Sequence, residues 1–425
     1  MSRVGGAGVT SLCQLVHRPA VGQSLEDAGR VVSGHVAGGR YPGRVATKRY
    51  LFTPGPTPVP PEVLAALAEP VVHHRGPDFR PVYEQCLDRL KQVCRTSSDV
   101  LLFTASGTGA MESAVANLCG PGSRVVVVSA GAFGERWIEI AERFGCAVVP
   151  LRYEWGEVPR AADLGMMLDD TPDVRAVFVT HSETSTGVVA DLRALSEAAR
   201  PSGAHVVVDA ISSLGAVPLE MDAWGIDVVC SGSQKALMTP PGLAFAAVSD
   251  AVWEPEGRTS SARYYFDWER TRRAQDVLDA PFTPAVSLVS ALNVALGLLL
   301  ETGLEAAFER HVRLGRACRA GIKAMGLDLF SPDDDTAAVV TAARTPDSVD
   351  AAALVRHVRE QYGVQLASGH GPLNSHVFRI GHIGHYDLFD ITTALAAVEL
   401  GLRELGLPVE QGAAVAAALA SLERT

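Results

Sequence analysis

The chain has 425 residues, enough for two domains of ordinary size. Hydrophobic residues make up 47% and charged residues 20%, the balance of a globular protein rather than a disordered or fibrous one. A formal net charge of −11 argues against nucleic acid as a general partner and leaves room only for a local basic pocket that takes a small anion.

No apolar run reaches the ~20 residues that span a bilayer, so no membrane role is expected. The longest run, around Ala291–Leu300, reads as a core helix. The 7 cysteines show neither CxxC pairs nor metal-ligand spacing, so neither a disulfide framework nor a metal site is expected. Reduced thiols point to a cytoplasmic protein.

In chain order, residues 1–45 come first. They are rich in Gly, Val, Ala and Arg, carry acids only at Glu26 and Asp27, and lack sustained periodicity. They read as a disordered or loosely docked extension, with an organellar transit peptide as the alternative. Pro54, Pro56, Pro58, Pro60 and Pro61 then hold the chain extended until a helix starts near Glu62. From there short β-branched runs alternate with helical patterns. Val100–Thr104, Arg124–Ser129, Ala147–Leu151, Ala176–Thr180, His205–Asp209, Val228–Ser231 and Leu243–Ser249 read as seven strands. Ala110–Leu118, Glu135–Phe144 and Leu192–Arg200 read as helices between them. Continuous apolar strands separated by helices predict an α/β domain, residues 46–285, with a mainly parallel seven-stranded sheet covered on both faces. In such sheets ligands bind beyond the carboxyl ends of the strands.

After Pro281 the pattern changes. A long helical region, Val286–Met325, precedes a strand at Ala337–Ala343, a helix at Ala351–Gln361, a strand at Val377–Gly381 and a helix from Leu388. Residues 286–425 therefore read as a smaller α+β domain.

Three strand ends carry chemistry. The first runs into Ser106-Gly107-Thr108-Gly109, where two glycines beside hydroxyl groups open a helix. Such a turn binds a phosphate through converging N–H groups, or is simply a capped helix start. The fifth strand ends in Asp209, a carboxylate that needs a cationic partner or a turn to cap. The sixth leads into Ser231-Gly232-Ser233-Gln234-Lys235-Ala236-Leu237, where burial would depress the lysine pKa and favour Schiff-base chemistry. Taken singly, each has an ordinary structural explanation. Together they supply a phosphate anchor, a partner for a pyridine nitrogen and an imine-forming amine, the three fixtures that pyridoxal 5′-phosphate (PLP) requires.

Residues 50–405 resemble the class V aminotransferases of PLP fold type I, in particular the alanine–glyoxylate and serine–pyruvate branch. The resemblance rests on Phe52–Thr57, His74-Arg75, Ser106–Glu112, Gly131–Trp137, His181–Gly187, Asp209–Gly215, Ser231–Leu237 and Phe378–Gly384. It implies a homodimer with shared active sites and a cofactor held on Lys235, its ring nitrogen facing Asp209. It also implies ring stacking by Phe133 and Ile211, a hydrogen bond from Thr184 to the ring hydroxyl, and phosphate contacts from Ser106, Gly107, Thr108 and Gln234. Thr283 would reach the phosphate from the neighbouring subunit, and Arg379 would clamp the substrate carboxylate. The implied reaction moves the amino group of alanine or serine to glyoxylate or pyruvate by a ping-pong course.

A lyase, epimerase or C–C bond-forming enzyme would use the same Lys235, Asp209 and Arg379 and remains the alternative. A cysteine desulfurase would need a mobile nucleophilic cysteine in the C-terminal half, where the last cysteine is Cys318. One departure from the family pattern stands out. The loop Ser368–His376 carries His370 and His376 where relatives have a Gly-Gln-Gly-like loop with lysines.

Overall fold

The computed structural model describes residues 48–254, 261–330 and 333–422. The extension expected at 1–45 lies outside the described residues. The central element is a seven-stranded sheet. Its strands are Asp99–Phe103 (β1), Arg124–Ser129 (β2), Ala147–Arg152 (β3), Val174–Thr180 (β4), His205–Asp209 (β5), Val228–Gly232 (β6) and Ala244–Val248 (β7), in the spatial order β1-β7-β6-β5-β4-β2-β3. Neighbours pair in parallel except β7, which is antiparallel to both β6 and β1. The reason is the connection. β6 and β7 are joined by a short loop through Pro240-Pro241-Gly242 with no crossover helix, so the chain returns antiparallel.

Strand periodicity explains why these segments read as unbroken apolar runs. Successive side chains point to opposite faces, and here both faces are buried. Val125 and Val127 enter one core while Val126 and Val128 enter the other. Val207 likewise opposes Val206 and Val208. Helices Gly107–Leu118 and Ala132–Arg143 cover one face with Met111, Val115, Trp137 and Ile138. Helices Arg80–Cys94, Ala161–Asp169 and Leu192–Ala199 cover the other with Leu90, Leu164 and Leu195. Each fully buried Val or Leu contributes about 1.5–3 kcal/mol relative to exposure.

The expected helical stretch Val286–Met325 is two helices, Val286–Thr302 and Leu304–Ala324, bent by 86°. Gly303 breaks them with φ 89°, a left-handed conformation that glycine adopts without strain. The first helix places Val289, Leu292 and Leu296 in the core of the seven-stranded sheet. The second starts there with Leu304 and Ala307, then passes Leu314, Cys318 and Ile322 into a separate core. That second core lies under a three-stranded antiparallel sheet of Val340–Arg344, Val377–Gly381 and Ala367–Ser368, with helices Ala351–Tyr362, Leu388–Glu404 and Ala413–Ala420. Among the described residues, no single helix is long and apolar enough to cross a membrane.

The proline-rich arm joins the two parts. Phe52 N donates to Gln365 O at 2.8 Å, and Gly381 N donates to Phe52 O at 2.8 Å. Thr57 N then donates to Gln234 O at 3.1 Å, which brings the arm to the end of β6.

Candidate active site

The ends of β1, β5 and β6 open into one cavity. Ser106, Gly107, Thr108, Phe133, Asp209, Ile211, Gln234 and Lys235 all line it, joined by Arg136, Ser182 and Ser212. Glycines make the convergence possible. A Cβ on Gly107 would lie 2.5 Å from Ile211 Cδ1, and one on Gly232 would lie 3.0 Å from Gln234 Oε1 and 3.3 Å from Gly107 Cα. The helix start is not capped by a side chain: Ser106 is the N-cap, yet its hydroxyl makes no capping bond. Its free N–H groups and hydroxyl therefore remain available to an anion.

Lys235 is held from three sides. Its Nζ donates to Pro54 O at 2.9 Å, and its own carbonyl accepts from Thr57 Oγ1 at 2.8 Å. Gly55 lies against the side chain so closely that an added Cβ would sit 2.3 Å from Cδ and 2.4 Å from Nζ. Burial pulls the ammonium down to about 8, with repulsion from Arg379 adding to this and attraction to Asp209 opposing it. Asp209 ends β5, where Oδ1 accepts from Ile211 N at 2.8 Å. Burial pushes its carboxyl up to about 7 against that hydrogen bond.

Arg379 is 5% exposed in the strand Val377–Gly381. Its Nε and Nη2 donate to Ser368 O at 3.0 and 2.7 Å, and Nη1 donates to Thr184 O at 2.6 Å. Among the described residues no carboxylate pairs with it, and burial lowers its pKa to about 10. The internal ion pair that would explain a buried arginine is therefore absent from those residues.

Three residues named from the sequence lie outside the cavity lining: Arg379, Thr184 and Thr283. Thr184 does not line the cavity. The turn closed by Thr186 N on Glu183 O at 3.1 Å carries it toward Arg379, and Ser182 lines the cavity instead. Thr283 lines a separate hollow with Tyr265 and Phe282, so it does not reach the cavity of its own chain.

Three contributors were missed in the sequence. Arg136 follows Phe133 by one helical turn, a spacing that places both on one face. Gly55 gave no signal, because its neighbour is distant in the chain. Glu183 caps the helix Ala132–Arg143: Oε2 accepts from Phe133 N at 2.9 Å and from Gly134 N at 3.1 Å, which fixes Phe133 at the cavity wall. The loop histidine His370 meets the Phe133 ring edge-on, centroids 5.6 Å apart at 85°. Burial and the cations Arg379, Arg136 and Lys235 lower its pKa to about 4, so it is neutral at physiological pH.

A buried, partly neutralised lysine beside a buried acid at strand ends defines an α/β enzyme that works through an amine. The comparisons specify it further: the chain belongs to the class V aminotransferase family, whose profile, Aminotransferase class-V, matches residues 49–381. The soluble hydrogenase 42 kDa subunit of Anabaena cylindrica is 41% identical over 87% of this chain and 98% of its own. Serine–glyoxylate aminotransferase of Methylorubrum extorquens is 36% identical over 90% of this chain and 97% of its own. The crystal structure of ureidoglycine–glyoxylate aminotransferase from Bacillus subtilis aligns with a TM-score of 0.82 at 31% identity, covering 90% of this chain and all of that one (100%). The protein is a PLP-dependent aminotransferase of fold type I.

The residues present fit that cofactor. Gln234 Oε1 is buried without a partner, and a half-turn of the amide presents its NH₂ to an anion instead. The uncapped helix start faces the same space, while the raised Asp209 calls for a cationic neighbour.

Proposed function

We propose that the enzyme moves the amino group of a small amino acid, alanine or serine, to glyoxylate or pyruvate. The observation that carries this reading is Arg379, a buried guanidinium that among the described residues bonds only to carbonyl oxygens. An α-carboxylate is the ligand that compensates such a charge, gripped by two parallel hydrogen bonds. Two relatives support the acceptor, since both are named for glyoxylate although their donors differ.

In this reading Ser106, Gly107, Thr108 and Gln234 hold the phosphate, and Phe133 and Ile211 take the two ring faces. Thr283 is lent by the second subunit of a homodimer. When bound, PLP supplies an aldehyde that condenses with amines and a ring that draws electrons from the neighbouring Cα–H bond. Lys235 Nζ carries the cofactor between turnovers and is the base that takes the proton from the substrate Cα. Its lowered pKa suits that task. Asp209 holds a proton at the ring nitrogen, and Arg379 orients the substrate so that the Cα–H bond faces Lys235.

The test is a panel of amino donors against glyoxylate and pyruvate, read by new keto acid. Alanine or serine with glyoxylate is expected to give the highest kcat/KM. Preference for aspartate or glutamate, or donor loss without a keto acid, would overturn the substrate assignment. Desulfuration finds no support: Cys318 is fully buried in the helix Leu304–Ala324, and burial pushes its thiol up to about 11.

A further inference from the structure

We infer that Arg136 is a phosphate anchor of this site, a cationic wall that discriminates the phosphorylated cofactor from its dephosphorylated form. The inference rests on the PLP reading above and adds a residue to it. Arg136 lines the same cavity as Lys235 and Asp209. Its Nη1 donates to Thr108 Oγ1 at 3.2 Å, which places the guanidinium beside the glycine turn that opens the helix Gly107–Leu118. Its carbon lies 4.7 Å over the Phe133 ring, so the aromatic face fixes its plane. Among the described residues Arg136 has no carboxylate partner. Glu183, the buried acid that caps this helix from the strand Ser182–Glu183, is already engaged by the N–H groups of Phe133 and Gly134.

Charge inventory leads to the same place. Arg136 and Lys235 line a cavity whose lining contains one acid, Asp209, and Arg379 adds its charge to Lys235 from outside that lining. Arg379 lies next to Thr184 and Ser368, where a substrate carboxylate belongs. Arg136 lies next to Thr108, on the side of the uncapped helix start. A phosphate dianion there would meet free backbone N–H groups, the helix dipole and a guanidinium at once. Because Thr108 Oγ1 accepts from Arg136, its own O–H is left to donate to a phosphate oxygen. Arginine and hydroxyl thus act as a pair.

The experiment titrates wild type, R136K and R136Q with PLP and, separately, with pyridoxal, following absorbance and tryptophan quenching. Circular dichroism checks that each variant is folded. Wild type is expected to bind PLP far more tightly than pyridoxal. R136Q should lose at least about tenfold in PLP affinity while pyridoxal affinity changes little, and R136K should recover part of the loss. Equal loss for both ligands would make Arg136 a support for Phe133 alone and overturn the inference, as would unchanged PLP affinity. Should R136Q not fold, R136K decides, because a retained charge must retain a preference for PLP over pyridoxal. Failure of wild type to bind PLP at all would instead sink the cofactor reading beneath it.

Discussion

A methyl group on Gly55 would occupy the space that the end of the Lys235 side chain fills. The contacts are with a flexible side chain rather than backbone, so the lysine can be pushed aside, while φ 148° at Gly55 adds backbone strain for any residue with a Cβ. Gly55→Ala is therefore expected to fold yet lose at least about tenfold in kcat/KM, since displacing a reacting atom by even 1 Å is costly. Wild-type kinetics in this variant would show that the arm does not position the amine. Lys235→Ala should abolish turnover while the folded protein still binds PLP noncovalently, and undiminished activity would end the assignment. Arg379→Ala should raise KM for the amino donor and lower kcat together, because the clamp both binds and orients. At this scale the sequence exposed what lies at strand ends, since motif and position coincide there. It could not expose Gly55, Arg136 or Glu183, whose roles arise from contacts with residues distant in the chain or from a helix face shared with Phe133.

Among the elements, the strands were the most legible. Arg124–Ser129, His205–Asp209 and Val377–Gly381 have the boundaries read from their apolar runs, because burial keeps most of their positions apolar. Helices Trp268–Gln275 and Ala161–Asp169 escaped notice. The first buries only Trp268 and Thr271, the second only Leu164 and Leu168, too few positions to establish a helical period. The single region Val286–Met325 divides at Gly303 because one glycine inside a helical pattern does not by itself announce a stop. Gly303 has φ 89° and open space around its Cα, so Gly303→Ala meets backbone strain without a clash. We expect it to destabilise by about 1 kcal/mol with kcat unchanged, measured by denaturant unfolding. An unaltered midpoint would mean that the break is held by packing alone.

For the whole molecule, pH is the lever that reaches both cores. His181 and His311 are pulled down by burial to about 4, and His382 to about 3. The unfolded chain binds these protons near pH 6.5, whereas the native protein resists them until about pH 4. Stability therefore declines as pH falls through that interval. Asp209 acts with opposite sign. Its native carboxyl stays protonated up to about 7, so its contribution is lost as pH rises. Four lowered histidines, His370 with the three above, oppose the raised carboxyls of Asp209, Glu183 and Asp390 and predict a Tm that drops between pH 7 and pH 5; a flat profile would contradict the burial argument. His311 gives this a structural meaning: Nδ1 bonds Ala216 O at 3.0 Å and Nε2 accepts from Gly384 N at 3.0 Å, a bond that a second ring proton would break.

Most of this reasoning depends on the amine at position 235 being the one that meets the cofactor aldehyde. Borohydride reduction of the protein incubated with PLP, followed by peptide mass spectrometry, addresses that amine directly. The expected result is a single pyridoxyl adduct on Lys235, absent from Lys235→Ala. No adduct, or an adduct confined to another lysine, would contradict the account.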